Sequence, residues 1–281
     1  MARMFTLLVA LPTAATFNVA VGAGVGLAGF LGWAFQGVGP SEAAHACVAR
    51  APPVKVEGLK NALLFGGASP RLAFYCGAKV VPTSYAPLIQ ELLAHWDDPS
   101  AGVLVLQSPL NVYAFKPATV QEVLAAYPTV SMVAGHSIGG LWAAEYCRDM
   151  SRAGEWPEAG LDFFWMGVHA KTVSLAPFKE VPFRRVGWSY ASNDVTMRNA
   201  FAEGEDMAAY VARIAHEQLP EGASCYAVDG GNHAQYGSYG APGFAQGLAY
   251  NEVEATISEE AQRAIVAKAM AEIHGREERG D

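Results

Sequence analysis

From Val54 onward, short uncharged apolar runs alternate with stretches of helical spacing. Val103-Leu104-Val105-Leu106 is the plainest of these runs. A strand with one wet face would alternate apolar and polar residues, so an unbroken run requires cover on both faces. Between the runs, Leu88, Leu92 and Leu93 mark one side of a helix over Tyr85–Trp96. The same reading places strands at Val54–Leu59, Ala62–Phe65, Leu72–Tyr75, Gly102–Leu106, Val130–Ala134, Phe163–Val168, Arg185–Tyr190 and Cys225–Val228. Further helices are expected at Ala118–Ala126, Leu141–Asp149, Met207–Gln218 and Ile257–Ile273. The alternation predicts an α/β fold with a mostly parallel central sheet and helices on both faces.

The first forty residues break this pattern. No charged residue lies between Arg3 and Glu42. A membrane-spanning helix needs about 20 predominantly apolar residues, and 17–37 supplies that length. Gly22 and Gly26 form a G-x-x-x-G pair of the kind that lets helices approach closely in lipid. The expectation is a single-pass N-terminal membrane anchor within 1–40, a linker over 41–53, the α/β domain over 54–275 and a charged tail over 276–281. Arg3 ahead of the segment slightly favours a cytoplasmic N-terminus with the domain outside. Two rivals concern the same stretch. Ala44-His45-Ala46 has the form of a signal-peptide cleavage site, which would give a secreted or lumenal protein. Gly24-Val25-Gly26-Leu27-Ala28-Gly29 fits a dinucleotide fingerprint, but it lacks a convincing preceding strand and a following acidic residue.

Composition removes several function classes. The chain has 281 residues, 52% of them hydrophobic and 16% charged, which excludes a disordered protein. A net charge of −8 without a basic run argues against nucleic acid as a partner. Four cysteines (Cys47, Cys76, Cys147 and Cys225) are too sparse for a disulfide scaffold and lack metal-site spacing. Buried free thiols are the expected reading. Cys76 has a redox or metal role as its alternative.

The chemistry concentrates at Gly135-His136-Ser137-Ile138-Gly139, a G-x-S-x-G between an expected strand and an expected helix. That context suits a nucleophile elbow, in which a tight turn projects the serine hydroxyl clear of the backbone. A serine nucleophile needs a base, and the base needs an orienting acid. In chain order Ser-acid-His, the candidates are Asp194 as acid and His233 as base. Each follows an expected strand, at the edge where parallel sheets bind ligands. Asp229 is the rival acid, although its closeness in sequence to His233 makes the reach awkward. His45 falls in the expected linker, and His95, His216 and His274 on or at the end of helices, where a solvated surface position is expected. An oxyanion hole should use the N–H of Ile138 and one from the loop Cys76-Gly77-Ala78-Lys79-Val80, with Ala78 preferred and Gly77 the alternative. Gly77, Lys79, Tyr113, Phe115, His136, His169, Asn232 and Tyr236 are candidate pocket residues.

These blocks resemble the α/β-hydrolase superfamily and, within it, the alpha/beta hydrolase fold-5 group. The resemblance runs from about Arg71 to Ala271. It rests on Phe74-Tyr75-Cys76-Gly77-Ala78-Lys79-Val80, the elbow through Gly140, Ser192-Asn193-Asp194, and Gly230-Gly231-Asn232-His233-Ala234-Gln235-Tyr236-Gly237. It implies Ser137, Asp194 and His233 as nucleophile, acid and base, and it fits an N-terminal membrane segment. Two positions depart from the group. Cys76-Gly77-Ala78 stands where Pro-Gly-Gly is usual, and Val195 where glycine follows the acid.

The expected function is hydrolysis of a small-molecule ester or lipid-like substrate through an acyl-enzyme, with no metal or organic cofactor. Acyl transfer and a catalytically silent binding role on the same fold are the alternatives. Only Ala170–Phe183 separates two of the strands, too little for a large helical lid. A minimal lid follows, with an open site bordered by Tyr113, Phe115 and an insertion over Tyr236–Ala255.

Overall fold

A computed structural model describes residues 39–109, 116–169, 174–239 and 253–275. The expected anchor, its glycine motifs, the charged tail, Tyr113, Phe115 and most of the insertion after Tyr236 lie outside the described residues. Among the described residues no helix is long and apolar enough to cross a membrane.

Eight strands form one sheet: β1 (Val54–Lys55), β2 (Ala62–Gly66), β3 (Ser69–Tyr75), β4 (Ala101–Leu106), β5 (Met132–His136), β6 (Asp162–Met166), β7 (Arg185–Ala191) and β8 (Ser224–Val228). Their order is β1-β2-β4-β3-β5-β6-β7-β8. β2 runs antiparallel to β1 and to β4, and every pairing from β4 to β8 is parallel. The helices among the described residues are α1 (Glu42–Arg50), α2 (Ala86–Trp96), α3 (Val120–Ala126), α4 (Ile138–Arg152), α5 (Val195–Arg198), α6 (Met207–Glu217) and α7 (Glu259–Gly275).

The unbroken apolar runs serve two cores at once. Leu72, Phe74, Val103, Val105, Met132, Ala134, Phe164 and Met166 face one core, shared with α1, α2 and α7. The alternate residues Ala73, Tyr75, Leu104, Leu106, Val133, Phe163 and Trp165 face the other, shared with α3, α4 and α6. Successive strand side chains point to opposite faces, so a strand buried on both sides favours apolar residues at nearly every position. Each large side chain buried in this way contributes about 1.5–3 kcal/mol relative to exposure.

Two expected boundaries change. Residues 41–53 are not simply a linker, because α1 occupies most of them. The Ser41 hydroxyl accepts the Ala44 N–H at 3.3 Å, which caps the helix. Ala44 and Cys47, one turn apart, are buried as α1 packs on α2. The expected strand Val54–Leu59 shrinks to Val54–Lys55, whose side chains are both exposed. Gly58, at φ 86°, turns the chain back before the strand can lengthen.

Candidate active site

The parallel strands bring their C-terminal ends to one edge, and every element of the site leaves from there. Ser137 follows β5 and precedes α4 with φ 54° and ψ −129°. A non-glycine residue in that region stores on the order of 1–3 kcal/mol of strain, so the surroundings must enforce it. They do so by close approach. A Cβ on Gly139 would lie 2.2 Å from the Cys76 carbonyl oxygen, and one on Gly135 would lie 2.5 Å from the Gly140 nitrogen. Only glycine lets α4 start this close to β3 and β5. The Ser137 N–H donates to the Met166 carbonyl at 2.8 Å, which ties the turn to β6.

Asp194 follows β7 and caps α5. Its Oδ1 accepts the Thr196 N–H at 2.8 Å, the Thr196 hydroxyl and the Met197 N–H. These bonds fix the carboxylate plane and leave Oδ2 facing the base loop. His233, past β8, places Nδ1 2.7 Å from that Oδ2. The imidazole therefore presents its other nitrogen away from the acid, as a proton-transferring base requires. The Asp194 side chain is fully buried. Burial pushes its carboxyl up, but the imidazoles of His233 and His169 more than offset this and hold it well below the ordinary carboxylate range.

The acid and base loops are stitched together independently of that bond. The Ser192 hydroxyl accepts the Gly230 N–H at 2.7 Å, and the Asn193 N–H donates to the Gly231 carbonyl at 2.9 Å. The Asn193 amide reaches the Glu254 carbonyl at 3.1 Å. From behind, Gln262 on α7 clamps the loop: its Oε1 accepts the Asn232 N–H at 3.0 Å and its Nε2 donates to the Asn232 carbonyl at 2.9 Å. Gln262 gave no sequence signal, because a buried glutamine on a helix looks like any polar helix residue.

The loop over 76–80 is anchored by Tyr85, another residue that sequence reasoning passed over as the start of a helix. A turn of 3-10 helix (Pro82–Tyr85) aims its phenol inward. The hydroxyl accepts the Gly77 N–H at 2.9 Å and lies 2.9 Å from His136 Nδ1. The Gly77 N–H, the alternative of the two sequence candidates, is thus already engaged by Tyr85. Lys79, at φ 60°, turns the loop just past Ala78. On the other side Ile138 is the first residue of α4, where a backbone N–H has no partner within the helix. His136 is fully buried, with its ring centroid 4.7 Å from that of His233. Burial and the neighbouring His233 push its pKa well below the ordinary range, so it stays neutral.

Other sequence candidates resolve as follows. Asn232 does not line a pocket: its amide donates to the Val253 carbonyl at 3.0 Å and its carbonyl accepts the Gln235 N–H. Tyr236 is buried beneath His233 and accepts a bond from Ser189 at 3.2 Å. His169 does not act alone in the pocket; its Nε2 lies 2.9 Å from Asp194 Oδ2. Asp229, the rival acid, is exposed. His45, His95 and His216 are exposed on helices. His274 departs from its expected surface role, because it is half-buried against Trp96 and faces Asp162 at 3.4 Å. All four cysteines are free, and three of them are buried. Burial pushes the Cys76 thiol far up, so it stays protonated and unreactive. Among the described residues no cluster of His, Cys, Asp and Glu could hold a metal ion.

Residues 71–155, which carry β3 through α4 and the serine elbow, match the model of the Alpha/beta hydrolase family. This stretch is similar to the α/β hydrolases. No curated protein matches the chain. Solved structures similar to this chain include a thermostable esterase from Pseudomonas putida, at 14% identity and TM-score 0.49, covering 84% of this chain and 89% of that one. A carboxyl esterase from Tuber melanosporum is 13% identical with TM-score 0.46, covering 78% and 87%. A predicted CIB-like hydrolase from Thermoplasma acidophilum is 12% identical with TM-score 0.46, covering 79% and 97%. In this chain the loops that carry Ser137, Asp194 and His233 leave from the same sheet edge.

Proposed function

We propose that this chain is a serine hydrolase that cleaves carboxylic esters through an acyl-enzyme. The observation that carries the reading is the buried Asp194–His233 bond of 2.7 Å beside a serine held at φ 54°. Ser137 attacks the ester carbonyl while His233 takes its proton, and Asp194 stabilises the imidazolium that forms. The N–H groups of Ile138 and Ala78 receive the tetrahedral oxyanion. His233 returns its proton to the leaving alkoxide, and water repeats the cycle on the acyl-enzyme. An alkoxide leaves more readily than an amide nitrogen, so esters ask least of this machinery.

The decisive experiment is labelling with a fluorophosphonate probe, which reacts only with an activated serine. The intact chain is expected to be labelled and Ser137→Ala to be blank. Absence of Ser137-dependent labelling would sink the proposal, including acyl transfer on the same residues. Given labelling, turnover of a series of p-nitrophenyl esters separates hydrolysis from transfer and ranks acyl length.

The Tyr85 phenol adds a second expectation. Tyr85→Phe removes the acceptor for the Gly77 N–H and frees the oxyanion loop. The expected loss in kcat is about tenfold with KM little changed, smaller than the 10²–10³ that removing a donor itself costs. A fall in KM-linked binding with kcat intact would place Tyr85 on the substrate instead.

A further inference from the structure

Asp194 Oδ2 carries two imidazoles. His233 Nδ1 lies at 2.7 Å and His169 Nε2 at 2.9 Å, from opposite strands of the site edge. The proposed reaction needs only the first. His169 follows β6 and is held in place by its neighbours: its ring meets Trp188 edge-on at 6.0 Å, and the Trp188 indole donates to the Val168 carbonyl at 3.0 Å. The His169 side chain is 2% exposed, so solvent does not compete for its bond to the acid. Its Nδ1 is buried and, among the described residues, has no hydrogen-bond partner. The pairing fixes the donor: Oδ2 of an ionised carboxylate only accepts, so Nε2 carries a proton. The two histidines also use opposite nitrogens, so His169 is not a second base of the same geometry.

We infer that His169 is a positioning residue for the acid: by donating to the oxygen that His233 also uses, it holds Asp194 in line and weakens the acid's pull on the base. This rests on the triad reading of Ser137, Asp194 and His233. The physical reason is competition for one acceptor. An oxygen that already accepts one N–H offers less negative charge to a second, so the His233 imidazolium is less stabilised and sheds its proton at lower pH. The base is then unprotonated, and the serine activated, over a wider acidic range.

Among the described residues, His136, Tyr236 and Tyr85 also face this trio, and none of them titrates in the same window. From the elbow, His136 is kept neutral by burial and by His233. From the base loop, burial pushes the Tyr236 phenol far above its ordinary value. From the 3-10 turn, burial does the same to Tyr85. Thr196 on α5 is the remaining polar partner of Asp194, through Oδ1. The acid limb of the reaction therefore reports His233 as set by Asp194 and His169.

The test is the pH dependence of fluorophosphonate inactivation, measured on the full chain with Ser137→Ala as the blank. His169→Phe keeps a ring but loses the donor. Its acid-limb midpoint is expected to rise by about half a pH unit or more. His169→Gln, whose amide can donate from a similar reach, is expected to restore a midpoint near that of the native chain. A purely structural role would lower the rate without moving the midpoint. If His169→Phe does not fold, His169→Met against His169→Gln makes the same donor-lost and donor-kept comparison. Coincident midpoints in native, donor-lost and donor-kept chains would overturn the inference while leaving the serine hydrolase reading intact. No labelling of the native chain would instead overturn the underlying reading.

Discussion

His233→Ala is expected to lower kcat on a p-nitrophenyl ester by about 10⁴–10⁶-fold, with KM changed far less. On the proposed reading His233 takes the serine proton, and the other imidazoles described at this edge are placed differently. His136 is the nearest imidazole, but it is buried and its Nδ1 is engaged with Tyr85. His169 is bound to the acid through Nε2. Asp194→Asn should cost about 10⁴-fold, because an amide facing Nδ1 favours the wrong tautomer of the base. The double variant should be little worse than His233→Ala, since residues acting as a unit lose their contribution together. Stopped assays at saturating ester, with fold checked by circular dichroism, provide the measurement. A kcat loss under tenfold for His233→Ala would exclude it as the base.

The largest expected stability effect lies at the opposite edge of the sheet. Asp162 opens β6 with a side chain wholly removed from solvent. Arg184 reaches it with Nε at 2.9 Å and a terminal nitrogen at 2.7 Å, and Arg185 does the same at 2.9 and 2.8 Å. His274 of α7 approaches the same carboxylate. Asp162→Ala removes the carboxylate that two guanidinium groups share, and breaking a buried pair costs about 3–5 kcal/mol. The lower end is expected, since Arg184 is 39% exposed and partly rehydrates. Burial pushes the Asp162 carboxyl up, but His274, Arg184 and Arg185 outweigh it and hold it well below the ordinary range. A carboxyl depressed in the folded state gives stability that is present above its unfolded value, about pH 4, and lost as pH falls towards the folded value. Urea unfolding of the native chain and of Asp162→Ala should therefore differ most near neutrality. The gap should narrow below about pH 4. A gap independent of pH would mean that the carboxylate charge contributes nothing.

The strands and the elbow were legible because their signals are local. Val103–Leu106 reads as a doubly covered strand, and Gly135 to Gly139 reads as a tight turn, from neighbouring residues alone. Ser137, Asp194 and His233 could be chosen because each follows a strand of one parallel sheet, and topology does the rest. What escaped was everything decided across the sheet. Gln262 lies 30 residues from the Asn232 backbone it clamps. Asp162, Arg184, Arg185 and His274 look like ordinary surface charges until β6, β7 and α7 bring them together. Helix α1 was hidden for a different reason. Its segment is short, and Ala44 and Cys47 form too small an apolar stripe to stand out beside Pro52 and Pro53.

The Gln262 clamp also bears on when the site comes into being. The serine elbow, the acid loop and the base loop all precede α7 in the chain, and a ribosome makes them in that order. Until α7 docks, the Asn232 backbone has neither of its two glutamine partners, and nothing holds the base loop from behind. The serine turn is therefore made before the helix that braces the loop carrying His233, and under the proposed reaction the base gains its rear support only with that helix.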